Sequence, residues 1–118
     1  MRHILLVDDD VNFRRSLTIQ LELEGHSVVC RENGEDALST LSRGGAQGPL
    51  PDLVISDVRM PGMDGEQFLS RLKGLHPLLP VLVISAFDPP ETLNGYRYLK
   101  KPFKLNEMIA AIDGLLGA

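Results

Sequence analysis

The chain has 118 residues, 43% of them hydrophobic, with 12 Lys plus Arg against 16 Asp plus Glu and a formal charge of −4. That is the size of one ordinary domain with apolar material for one core, so a single domain over residues 1–118 is expected. A mildly acidic chain with no Lys/Arg run offers no electrostatic footprint for DNA or RNA, and one cysteine, Cys30, excludes an internal disulfide or a cysteine-based zinc cluster.

The first apolar run, His3–Val7, ends in Asp8-Asp9-Asp10. The start is too quickly acidic for a secretory signal, and no apolar run approaches the ~20 residues of a membrane span; a soluble, cytoplasmic domain is expected. Phe13, Leu17 and Leu21 recur every four residues, so a helix follows, with Asp10 as its N-cap and Gly25 as its stop. Ser27–Cys30 reads as a second strand, with Cys30 a small core residue. Ala37, Leu38 and Leu41 make a second helical stripe, ended by Arg43-Gly44-Gly45, and Gly44–Pro51 reads as an elongated loop. Leu53–Ser56 is a third strand, with Asp57 directly behind it. Met60-Pro61-Gly62-Met63 is a turn, because Pro fixes φ and Gly permits positive φ, and Asp64 caps a helix carrying Phe68, Leu69 and Leu72 and ending at Gly74. Val81–Ser85 and Tyr98–Leu99 are the last strands. Leu105, Met108, Ile109, Ile112, Leu115 and Leu116 mark the last helix. His3, His26 and His76 are scattered without metal-ligand spacing, so no histidine catalyst is assigned.

Continuous apolar strands alternating with helices imply a parallel α/β sheet covered on both faces. Ligands of such sheets bind beyond the carboxyl ends of the strands. There the sequence places Asp8 and Asp9, Asp57, Ser85 and Lys100-Lys101. Taken alone, Asp57 reads as a turn or cap residue. Taken together, clustered carboxylates repel one another, a relief that a hard divalent cation supplies. Magnesium suits few carboxylates because it keeps several waters and accepts phosphate oxygens. With a lysine and a hydroxyl nearby, the set reads as a phosphoryl-transfer site with a carboxylate nucleophile.

Leu5-Leu-Val-Asp-Asp-Asp10, Asp57-Val-Arg-Met-Pro-Gly-Met-Asp-Gly65, Ser85-Ala86 and Tyr98-Leu-Lys-Lys-Pro-Phe103 resemble, in this order, the receiver domain of two-component response regulators. The resemblance implies five parallel strands in order 2-1-3-4-5 with helices on both faces, as in flavodoxin-like receivers. It implies Asp57 as phosphoacceptor from a sensor histidine kinase or phosphotransfer protein, and Mg2+ held by Asp9, Asp8, Asp57 and the backbone carbonyl of Arg59. Lys101 would pair with the phosphoryl group, Ser85 would move toward it, and Tyr98 would rotate inward behind Ser85. Lys100 would be a solvated neighbour. Arg59 and Phe87 would modulate hydrolysis, their bulk slowing loss of the phosphoryl group. The protein would be a self-modifying switch rather than a turnover enzyme. The downstream effector is not specified by these residues, and no effector domain is expected within them.

One segment departs from the pattern. Residues 86–100 must hold the whole fourth crossover. Pro89-Pro90 can begin a helix and Asn94-Gly95 reads as a stop, so a shortened fourth helix of one or two turns is expected over Pro90–Leu93. That leaves an alternative function, a phosphorylation-independent interaction module with a receiver fold. A magnesium-dependent phosphohydrolase with an aspartate nucleophile is disfavoured, since Arg59 stands where its second acid would be.

Overall fold

A computed structural model describes residues 2–42, 50–59 and 62–117. The strands are β1 (His3–Val7), β2 (Ser27–Arg31), β3 (Leu53–Asp57), β4 (Val81–Ser85) and β5 (Arg97–Lys100), and the α-helices are α1 (Val11–Leu23), α2 (Gly34–Ser42), α3 (Gly65–Leu75) and α4 (Leu105–Leu116). The strands form one sheet in the order β2-β1-β3-β4-β5. Every neighbouring pair is parallel. The expected topology is therefore the observed one.

The period-2 alternation of strand side chains divides the core in two. Ile4, Leu6, Ile55, Leu82 and Ile84 point to the side covered by α1 and α4, where Leu17, Leu21, Met108 and Ile112 meet them. Leu5, Val7, Val54 and Val83 point to the other, where Ala37 and Leu41 of α2 and Phe68, Leu69 and Leu72 of α3 cover them. Both faces are buried, which is why β3 and β4 read as unbroken apolar runs.

Caps position the helices above the site. The Asp10 side chain accepts from the amides of Asn12 and Phe13 at the start of α1. Asp64 and Gln67 form a reciprocal capping box on α3. Gly25 follows α1 with φ of +91°, the left-handed geometry expected of a helix stop.

Some expected boundaries shift. The run of α3 does not stop at Gly74 but continues to Leu75 with His76 as C-cap. An exposed glycine is tolerated in a last turn, and the residue before Pro77 is the one barred from the helical region. Ladder pairing extends β2 to Arg31 and β5 to Arg97 and Lys100. Cys30 is half-buried rather than fully inside, packed beside the α1/α4 cluster and 3.0 Å from the Thr18 hydroxyl; it lies on an edge strand. The Arg43-Gly44-Gly45 stop, most of the 44–51 loop and the Met60-Pro61 pair lie outside the described residues.

The fourth crossover holds a single 3-10 turn, Glu91–Leu93, with Pro90 as N-cap. The shortening read from Pro89-Pro90 and Asn94-Gly95 is observed. Leu93, 3% exposed, is the one residue of the turn that enters the core.

Candidate functional site

The carboxyl ends of β1, β3, β4 and β5 converge on one pocket. Asp8 follows β1 directly and its amide extends the ladder to the Arg31 carbonyl. The side chain is fully buried, and its Oδ1 accepts from the Asp10 amide at 2.9 Å. Arg14, one turn into α1, donates to the Asp8 carbonyl at 2.5 Å. Asp57 is the last residue of β3, 8% exposed, and its Oδ1 accepts from the Arg59 amide at 3.1 Å. From the position directly after β5, the Lys101 ammonium reaches Asp8 Oδ2 at 2.7 Å and Asp57 Oδ2 at 2.8 Å. Its backbone amide is fixed to the Ser85 carbonyl at 2.7 Å.

Asp8, Asp9 and Asp57 each offer a carboxylate oxygen, and these oxygens lie within 4.8 Å of one another. Three carboxylates and one ammonium leave a formal surplus of two negative charges. Burial raises the Asp8 carboxyl above its ordinary pKa, against the opposing pull of Lys101 and the Asp10 amide. Burial also works against the charge on Lys101, but hydrogen bonds to Asp57 and Asp8 outweigh it and hold the ammonium above the ordinary lysine value. The donor set is all oxygen and partly hydrated, since Asp9 is exposed. These residues fit a hard divalent cation.

Ser85 ends β4, 2% exposed, with its hydroxyl accepting from the Phe87 amide at 3.2 Å. The Tyr98 hydroxyl donates to the Phe87 carbonyl. The Arg59 guanidinium lies 3.8 Å from the Phe87 ring centroid, and both side chains line a cleft with Ser85 and Tyr98. Lys100, by contrast, faces solvent and pairs with Asp88 at 2.9 Å. That exposed pair lowers the Asp88 carboxyl and raises the Lys100 ammonium through their mutual hydrogen bond, and contributes little in water.

The structure thus brings together Asp8, Asp9, Asp57 and Lys101, sets Ser85, Phe87, Tyr98 and the Arg59 side chain beside them as a second connected group, and leaves Lys100 outside. Two neighbours were not singled out. The Phe13 ring lies 3.9 Å from the Lys101 nitrogen, and Arg14 holds the Asp8 carbonyl. Both fall in the first turn of α1, four and five residues after Asp9. In the sequence Phe13 announced itself only as part of an apolar stripe. Gly65 is a third: a Cβ there would stand 2.5 Å from the Val58 backbone, so only glycine lets α3 begin so close behind Asp57.

Residues 4–113 match the family model described as the response regulator receiver domain. The chain is 37% identical to the DNA-binding transcriptional regulator NtrC of Klebsiella pneumoniae over 92% of its own length and 23% of that protein's. It is 38% identical to the response regulator protein FleR of Pseudomonas aeruginosa, over 90% of this chain and 23% of that one. It therefore spans about a quarter of the length of each of these two relatives. Among solved structures, the chemotaxis protein CheY4 of Vibrio cholerae superposes with a TM-score of 0.86 at 25% identity, covering 98% of this chain and 99% of that one. The receiver domain of the hybrid histidine kinase CckA gives 0.79 at 30% identity, covering 97% and 98%. Family match, strand order and the acids at the strand ends agree: the chain belongs to the receiver domains of two-component response regulators.

Proposed function

We propose that Asp57 accepts a phosphoryl group from the phosphohistidine of a sensor kinase or phosphotransfer protein, and that this modification switches the domain. One observation carries the reading: a partly buried lysine joined at 2.7 and 2.8 Å to two carboxylates from different strand ends. A merely structural ion pair does not need a second acid, let alone a third within ligand reach. In the reaction an Asp57 carboxylate oxygen attacks phosphorus while the bond from phosphorus to the donor's imidazole nitrogen breaks, leaving that nitrogen with the electron pair. The product is an acyl phosphate. Asp8, Asp9, Asp57 and the Arg59 carbonyl would hold Mg2+, which when bound supplies charge neutralisation at the phosphoryl oxygens. Lys101 then turns from Asp57 to a phosphoryl oxygen, and the Ser85 hydroxyl meets another.

The domain modifies itself and does not turn over a substrate. Hydrolysis of the acyl phosphate requires water to reach phosphorus, and the Arg59 guanidinium stacked on Phe87, two residues past Asp57 and Ser85 respectively, is the bulk proposed to restrict it. Slow autodephosphorylation follows. No described helix is long and apolar enough to cross a membrane; the proposed partner chemistry, a kinase phosphohistidine with Mg2+, supports the reading of a cytoplasmic domain.

The test is incubation with acetyl phosphate and magnesium, read by intact mass. Gain of one phosphoryl group, absent in Asp57→Asn, is expected; no gain in folded wild-type protein would sink the switch. That second result would favour the interaction-module reading, which the one-turn crossover makes worth testing. Followed in time, an Arg59→Asn, Phe87→Ala variant should lose the group faster than wild type.

A further inference from the structure

We propose that Phe13 is a positioning residue for Lys101, its ring forming the wall that keeps the ammonium aimed at Asp57 during phosphoryl transfer. The inference rests on the reading of Lys101 as the group that meets the phosphoryl oxygens.

Among the described residues, the Lys101 nitrogen has three close contacts of two kinds. Two are carboxylate oxygens, of Asp8 and Asp57. The third is the face of Phe13, 3.9 Å from nitrogen to centroid, within the ~6 Å range where the ring quadrupole attracts a cation. The ring is itself fixed from two directions. Its backbone amide is held at 3.1 Å by the Asp10 cap, and Phe103 meets it edge to face, centroids 5.9 Å apart at 89°.

A lysine head on a flexible four-carbon stem does not hold a direction by itself. Both carboxylates that hold it here change partner once a cation and a phosphoryl group arrive. Phe13 does not. Its attraction to the ammonium is independent of the protonation, ligation or phosphorylation of Asp8 and Asp57, so it is the contact that persists through the reaction. Beside the ring lies an open groove of about 440 Å³ between α1 and the segment after β5, lined by Phe13, Leu17, Ala86, Lys101, Pro102 and Phe103. Without the aromatic face, the ammonium could turn into that groove and be hydrated. Packing alone does not call for an aromatic side chain, because Phe13 is only partly buried against the α1/α4 cluster; a leucine or methionine would serve.

The experiment compares the full chain with Phe13→Leu, Phe13→Met and Phe13→Tyr. Phosphorylation by acetyl phosphate at saturating magnesium should slow about fivefold in the Leu and Met variants, the worth of one partly desolvated cation–π contact, and the Tyr variant should restore it. Two aliphatic variants guard against one failing to fold. Independently, the Lys101 side-chain protons nearest the nitrogen should show an upfield ring-current shift in wild type and Phe13→Tyr that is lost in Phe13→Leu. Folded aliphatic variants with the wild-type rate overturn the role of Phe13 alone. A wild-type chain that takes up no phosphoryl group overturns the function, and this role with it, while the ring-current shift would still register the contact.

Discussion

Asp8 and Asp57 illustrate how a single ammonium can hold a site together before any ligand arrives. Asp8 is fully buried, and the Lys101 side chain is only 18% exposed, so this ion pair is not screened as a surface pair would be. Removing the lysine leaves two acids facing each other with no counter-charge. Lys101→Met, which keeps the apolar stem, should therefore lose about 2–3 kcal/mol of stability in the absence of magnesium. Magnesium should then raise Tm more in the variant than in wild type, because the cation no longer competes with the ammonium for the same oxygens. Thermal unfolding with and without magnesium checks both; equal stability would contradict the role given to the ion pair, and a variant indifferent to magnesium would contradict the cation site. At this scale the sequence was highly readable where chemistry puts acids and a lysine at strand ends. It was silent about Phe13 and Gly65. A cation–π contact depends on which way a ring turns, and a close backbone approach on how far one helix start sits from one loop. Neither distance leaves a mark in residue spacing.

Among the elements, the caps and stops were legible because their chemistry is local: Asp10 and Asp64 accept from amides two or three residues on. Ends set by the tertiary ladder were not, which is why β2 and β5 run further than their apolar cores suggest. The fourth crossover is the instructive case, since Pro89-Pro90 and Asn94-Gly95 left room for little more than a turn. What the sequence could not say is how so short a connection stays attached to the sheet. The structure answers with Leu93, which enters the cluster of Val81, Val83, Leu69 and Leu72. Within the 3-10 turn itself, Leu93 is the side chain that is buried in the core. Leu93→Ala should cost about 2–4 kcal/mol, the range for emptying a buried leucine site, with amide exchange between residues 86 and 97 accelerating first. A loss under about 1 kcal/mol would mean that the turn is held by its backbone bonds rather than by this side chain.

Across the whole molecule, a path of hydrogen bonds leads from the proposed phosphorylation site to the edge strand β5. The Ser85 hydroxyl accepts from the Phe87 amide, and the Phe87 carbonyl accepts from the Tyr98 hydroxyl. If Ser85 turns to a phosphoryl oxygen, the Phe87 amide loses its partner and the short loop that carries it must rearrange. Tyr98 is then released from the same residue, with space beside Ser85 to enter. A full-length fourth helix would resist such a change over several turns; a single 3-10 turn resists it with one. On the proposed switch, the shortened crossover would confine the moving part to residues 86–98 rather than disable it. Magnesium with beryllofluoride, a phosphoryl mimic, should shift the amide signals of that segment and of β5 while leaving the outer face of α2 unchanged. Asp57→Asn should abolish the response, and Tyr98→Phe should alter the free state, because it removes the bond to Phe87 before any ligand binds. A ligand moves a two-state equilibrium only by its differential affinity for the two states. Shifts limited to Asp8, Asp9, Asp57 and Lys101, with Tyr98 unmoved, would show that occupancy is not transmitted. The fold would then be acting as a docking module, and its partner would have to read the site directly.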